Sequence, residues 1–223
     1  MRFWRQAWVI ARRDLVSEGR SGEVVWVVIP FALVALFLIP VAIGGRRGIL
    51  DEIGPGMFWV VVLLFGLFVT LRRSSQVSPA EADVLALVLV DPAAGFVGRS
   101  LASFVLVVGV QAVAAPATLA LFGPELPRAW PWLVPIGLLA AAGMAMVGTI
   151  AGSLARGTRL GSAVAPLLAI SLSFPLLSGA SIATSELAGD ADILAPVALL
   201  ALVDVLVAVA GVLTARPLEE SGA

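Results

Sequence analysis

Six apolar runs, at roughly 24–43, 54–71, 99–122, 131–154, 161–180 and 193–214, leave this chain few ways to fold. Each is close to the ~20 helical residues that cross a hydrocarbon layer of ~30 Å. Inside lipid the backbone has no water to bond to, so only helices and closed barrels cross it. The runs lack the alternation of a barrel strand, and they predict an all-α, polytopic membrane protein with six transmembrane helices. The chain is 60% hydrophobic and 13% charged, against about 25% charged in a soluble domain. That excess is too large for one globular core, and residues 1–223 read as a single membrane domain. Membrane helices tolerate internal Pro and Gly. Pro30 and Pro40 are expected to bend the first span, and Pro116, Pro135, Pro166, Pro175 and Pro196 fall in or near the ends of later ones. The fifth run has a second reading, as a broken or re-entrant segment, because of Ser171, Ser173, Pro175, Ser178, Gly179 and Ser181.

Orientation follows from the arginines, which make up all 14 basic residues. An even number of spans puts both termini on one side. That side holds Arg2, Arg5, Arg12, Arg13, Arg20, Arg72, Arg73, Arg99, Arg156, Arg159 and Arg216, which is 11 of the 14. Basic residues favour the cytoplasmic side, so both termini are expected there. Residues 1–23 carry eight charges and no clean apolar region before a cleavage site, unlike a secretory signal.

Two segments do not span. Residues 2–18, within a cytoplasmic stretch of 1–22, place Phe3, Trp4, Ala7, Trp8, Ala11 and Leu15 at spacings of three and four among Arg5, Arg12 and Arg13. This predicts an amphipathic helix in the membrane interface, with lipid as its partner and Trp at headgroup depth; the alternative is an extension of the first span. The second segment is the loop 72–98. Ser78 and Glu81 form a capping box, Val84, Leu85, Leu87, Val88 and Leu89 an apolar face, and Asp91-Pro92 a stop. Such a face needs cover, from the membrane surface or from a cytoplasmic protein.

Several chemistries are excluded. With no Cys and no His, the chain has no disulfides, no zinc site of those ligands and no haem held through histidine. Without Lys it has no phosphate-binding loop, so any use of ATP falls to a partner chain. No nucleophile–base pair and no paired intramembrane carboxylates are present, so no catalytic or metal site is assigned. No nucleic-acid partner is expected.

What remains is sparse. Asp204 is the one acid deep in a span, where a charge costs at least ~2.5–3.5 kcal/mol on insertion scales. It reads either as a transport-path residue or as an acid that fastens its helix to a neighbour, with Gln111 as the polar group to test beside it. Gly143, Gly148 and Gly152 give the fourth span a small-residue face for close helix packing. Trp130 and Trp132 mark where that span enters from outside, as an interfacial belt or a docking surface. Met144 and Met146 read as packing residues rather than haem ligands.

Phe3-Trp4 with Ala11-Arg12-Arg13-Asp14-Leu15, and the run Leu50-Asp51-Glu52-Ile53-Gly54-Pro55-Gly56-Met57-Phe58-Trp59, carry a resemblance. They resemble the haem exporter B family, the membrane subunit of the cytochrome c maturation ABC transporter. The similarity covers nearly the whole chain, and Gly-Pro-Gly-Met-Phe-Trp is its most specific part. It implies a type 2 ABC permease of the bacterial inner membrane, with two copies joined to two cytoplasmic ATPase subunits. It also implies a haem-handling membrane protein and a periplasmic haem chaperone as partners, with two readings of the work done: haem as the cargo moved, or ATP used to release the loaded chaperone. The loop 72–98 would then be the ATPase-coupling segment, with Glu81, Asp83, Leu85, Leu87 and Asp91 as its contact residues. There the chain departs from the family, whose acidic stretch and following Gly are replaced by Arg72-Arg73-Ser74-Ser75-Gln76-Val77-Ser78-Pro79. The departure leaves room for a permease of another cargo, such as a drug, lipid or polysaccharide. A non-transporting scaffold is the reading from outside the transport class.

Overall fold

Every regular element among the described residues is helical. The computed structural model describes residues 2–75, 91–124, 126–156, 161–189 and 193–220. Helix α1 (Arg2–Ser21) ends at Gly22, whose φ of 64° is open mainly to glycine. A turn of π-helix, Val24–Val28, then leads directly into α2 (Ile29–Ile43). Pro30 stands two residues beyond the end of the π turn, where its ring and missing N–H disfavour the ordinary bonding pattern back into that turn. Helix α3 (Arg47–Ser75) returns, followed by α4 (Pro92–Phe122), a short 3₁₀ turn at Trp130–Trp132, and α5 (Leu133–Arg156). Helices α6 (Gly161–Ala188) and α7 (Leu194–Glu220) complete the order.

Six of these helices, taking the π turn with α2, are long and apolar enough to cross a membrane among the described residues. They are the six spans expected, with earlier starts for two. Helix α3 begins seven residues before the apolar run, because Asp51 and Glu52 lie within its first turns. Helix α4 likewise begins at Pro92, seven residues before the apolar run, and takes in residues 92–98, which the sequence placed in the loop. Helix α6 is continuous through Pro166 and Pro175, with no break or re-entrant turn.

Helix α5 is the hub. It packs on α3, α4, α6 and α7, and half of its apolar window is buried, the largest share of any span. The main core gathers Trp59, Val62 and Leu67 of α3, Ile136, Met144 and Val147 of α5, Leu176 of α6 and Leu200 of α7 around it. A second cluster joins α2, α3 and α4 through Leu36, Val61 and Phe122. Helices α2 and α7 lie at the edge, and Phe31, Phe37, Leu202, Leu206 and Leu213 point outward. A water-soluble surface does not carry so much exposed apolar area; a lipid-facing one does.

Helix α1 is a separate helix, set off by the Gly22 turn rather than continuing the first span. Its apolar residues divide into two groups. Ala7 and Ala11 are buried against α4, while Trp4 and Trp8 stay exposed. The approach to α4 is close, since a Cβ on Gly98 would lie 2.6 Å from the Ala7 carbonyl oxygen and 2.9 Å from Ile10 Cβ. Leu at position 98 is therefore expected to displace α1, at about 1–3 kcal/mol for overpacking. Limited trypsin digestion in detergent should then cut after Arg12, Arg13 and Arg20 faster in Gly98→Leu than in the parent chain. Equal protection would mean that α1 is not held by α4.

Candidate functional site

The Gly-Pro-Gly-Met-Phe-Trp run lies in the first half of α3 and works as a packing node. Gly54 lets Phe122 of α4 come within 2.9 Å of its missing Cβ. Trp59 is 6% exposed, and its Nε1 donates to Thr184 Oγ1 of α6 at 3.1 Å. Thr184 in turn donates to the Ala180 carbonyl at 2.7 Å. A buried indole N–H needs such a partner, and this one fixes α3 to α6. Phe58 meets the Trp59 ring edge-on, with centroids 5.0 Å apart.

Three glycines of α5 each receive a polar side chain from a different helix. Thr70 of α3 lies against Gly148, and Gln111 of α4 has its Oε1 3.3 Å from where a Gly137 Cβ would be. Asp204 of α7 reaches in against Gly143, beside Leu176 of α6. Thr70 also donates to the Leu67 carbonyl at 3.0 Å. Asp204 is 6% and Gln111 8% exposed. Among the described residues, neither Asp204 oxygen nor Gln111 Nε2 has a hydrogen-bond partner. They therefore do not bond to each other. Gly137 and Gly143 are six residues apart, about 9 Å along the helix axis. Ser173 of α6 is fully buried, and its Oγ is likewise unpartnered among the described residues. It stands one turn before Leu176. The centre of the bundle thus holds a carboxyl, an amide and a hydroxyl with unused bonding capacity, an arrangement costly in any packed interior.

The remaining predicted residues are scattered. Trp130 and Trp132 sit in the 3₁₀ turn ahead of α5, both partly or largely exposed. Asp91 caps α4: its carboxylate accepts from the Ala93 N–H at 3.0 Å, and Pro92 fills the first turn. The pair Asp91-Pro92 thus starts a helix. Glu81, Asp83, Leu85 and Leu87 lie outside the described residues. Met144 is a core residue whose Cε comes within 2.7 Å of a Gly66 Cβ position. No group of three or more acidic residues that could hold a metal occurs among the described residues.

Sequence reasoning passed over three features. Thr184 as the partner of Trp59 is 125 residues away in sequence, beyond any local pattern. The unsatisfied Ser173 gives no signal distinct from its neighbouring serines. An ion pair between Glu23 and Arg72, 2.5 Å apart, joins two residues read only as topology markers.

A family model described as CcmB protein matches residues 5–220. The chain is also 30% identical over 167 residues to the Heme exporter protein B of Rhodobacter capsulatus, covering 74% of this chain and 76% of that protein.

The Gly143 contact makes a direct prediction. Gly143→Val should clash with Asp204 and Leu176 and lower thermal stability in detergent, at about 1–3 kcal/mol for overpacking. Asp204→Asn should leave the melting temperature within a degree or two, since no bond to the carboxylate is lost. A large drop for Asp204→Asn would reveal a partner for that carboxylate.

Proposed function

The chain belongs to the CcmB protein family, and from that premise we propose that it is the membrane permease subunit of an ABC transporter for haem export in cytochrome c biogenesis. One observation carries the reading: the match runs from residue 5 to residue 220 and so takes in all six spans as well as α1. A relative named as a heme exporter supports haem as the cargo. The six-span bundle supports residence in the bacterial inner membrane.

The chain supplies no site for ATP, so the energy comes from a separate cytoplasmic ATPase, with two copies of this chain facing two ATPase subunits. A haem-handling membrane protein and a periplasmic chaperone complete the assembly. In this mechanism, ATP binding and hydrolysis in the partner displace the loop 72–98 through Glu81, Asp83, Leu85, Leu87 and Asp91. Asp91 is the residue through which that motion enters α4, because its carboxylate caps that helix. Helix α4 carries α1 with it at Gly98 and bears on the hub α5.

Haem is a substrate here, and the chain has no His or Cys to grip it. This favours a mechanical role over tight ligation. Asp204 and Gln111 are placed at the hub glycines, where a shift of α7 or α4 changes what they touch. Their unsatisfied atoms give them an active part in that shift, beyond static packing.

The coupling assignment is tested with Leu85→Pro and Leu87→Pro. Both should abolish co-purification of the ATPase, with membrane insertion and the yield of this chain unchanged. Undiminished complex formation would place the docking site elsewhere.

A further inference from the structure

At the arginine-rich end of the bundle, three helix ends meet around charged groups that the mechanism above does not use. The Val24 N–H, left over at the start of the first span, donates to Glu18 Oε1 of α1 at 2.8 Å, across the Gly22 turn. The next acid, Glu23, pairs with Arg72 at the far end of α3. The Arg72 guanidinium also lies 5.7 Å from the centroid of the Phe68 ring. Val24, Val28, Phe68 and Val69 line a water-sized cavity among these charges.

We infer that Glu23 and Arg72 are positioning residues of the transport cycle, forming a joint that carries displacement of the coupling loop into the first membrane span. The inference rests on the permease reading above. Arg72 is the last residue of the membrane span of α3, which ends three residues later at Ser75. Displacement of the loop reaches α3 at Arg72 as it reaches α4 at Asp91, and the ion pair hands the motion of α3 to Glu23.

The recipient is suited to move. The first span has only 22% of its window buried. It is joined to α1 through the left-handed Gly22, and its first five residues form the π turn, a feature common at functional hinges. Trp26 lies over the turn, with its Cδ1 2.7 Å from where a Gly22 Cβ would sit. Helix α1 stays fixed on Gly98 of α4 while the span behind it swings. An ion pair with one partner half exposed adds little to stability. Losing it therefore leaves the fold intact and disconnects the parts.

The test uses the complex purified with its ATPase and placed in lipid nanodiscs. Glu23→Gln and Arg72→Gln should each lower ATP turnover about fivefold, equivalent to about 1 kcal/mol, with unchanged ATPase content. The exchanged pair, Glu23→Arg with Arg72→Glu, should restore turnover to near the parent value. Unchanged turnover in both single variants, or no rescue by the exchange, overturns the joint while the permease reading stands. Rescue by the exchange supports it even if either single variant is too unstable to purify. If the parent chain brings down no ATPase, the permease reading falls and the joint falls with it.

Discussion

Close approach of helices to one backbone, that of α5, is the constraint on which the rest of this bundle depends. In lipid the helices cannot be driven together by exclusion of water, so they associate where small residues let backbones come near. Gly137, Gly143 and Gly148 do this for α4, α7 and α3 in turn, and Leu176 of α6 shares the Gly143 contact. Larger side chains at these positions would push the outer helices off the hub and dissolve the core around Met144 and Val147.

The same glycines decide where polarity is tolerated. The buried threonine hydroxyls of the spans bond to their own helix: Thr70 to the Leu67 carbonyl, Thr118 to the Ala114 carbonyl and Thr149 to the Ala145 carbonyl. These are neutral to the fold. Asp204, Gln111, Ser100 and Ser173 stand apart, because they are buried with unused capacity among the described residues. Helices α2 and α7 are the least buried spans, and they border a centre of α3, α5 and α6 in which Trp59 bonds α3 to Thr184 of α6.

The existence of the spans was legible because ~20 apolar residues have one solution in lipid. Their starts were not. Helix α3 extends back through Asp51 and Glu52, which a hydropathy reading excludes although the ends of a membrane helix tolerate charge. Asp91-Pro92 reads as an end in the sequence, and the Ala93 bond shows that it also starts α4; the helix expected before it lies outside the described residues. The spacing of Phe3, Trp4, Ala7, Trp8, Ala11 and Leu15 correctly predicted a helix. It could not divide those residues between α4 and the exterior, because the deciding feature is the missing side chain of Gly98. Asp204 and Gln111 were correctly singled out as polar groups inside spans. Their neighbours are glycines of α5, and a glycine announces nothing about which side chain it will admit. The motif that carried the family resemblance does its visible work in packing, through Gly54 and Trp59.

In the proposed function, a separate ATPase drives this bundle within a haem-handling assembly. Affinity purification of the chain from its native membrane in mild detergent, with mass spectrometry and a haem absorbance spectrum of the eluate, tests it most directly. The expected result is an ABC ATPase subunit together with haem-handling proteins in the same eluate. Recovery of the intact chain with no ATPase would contradict it.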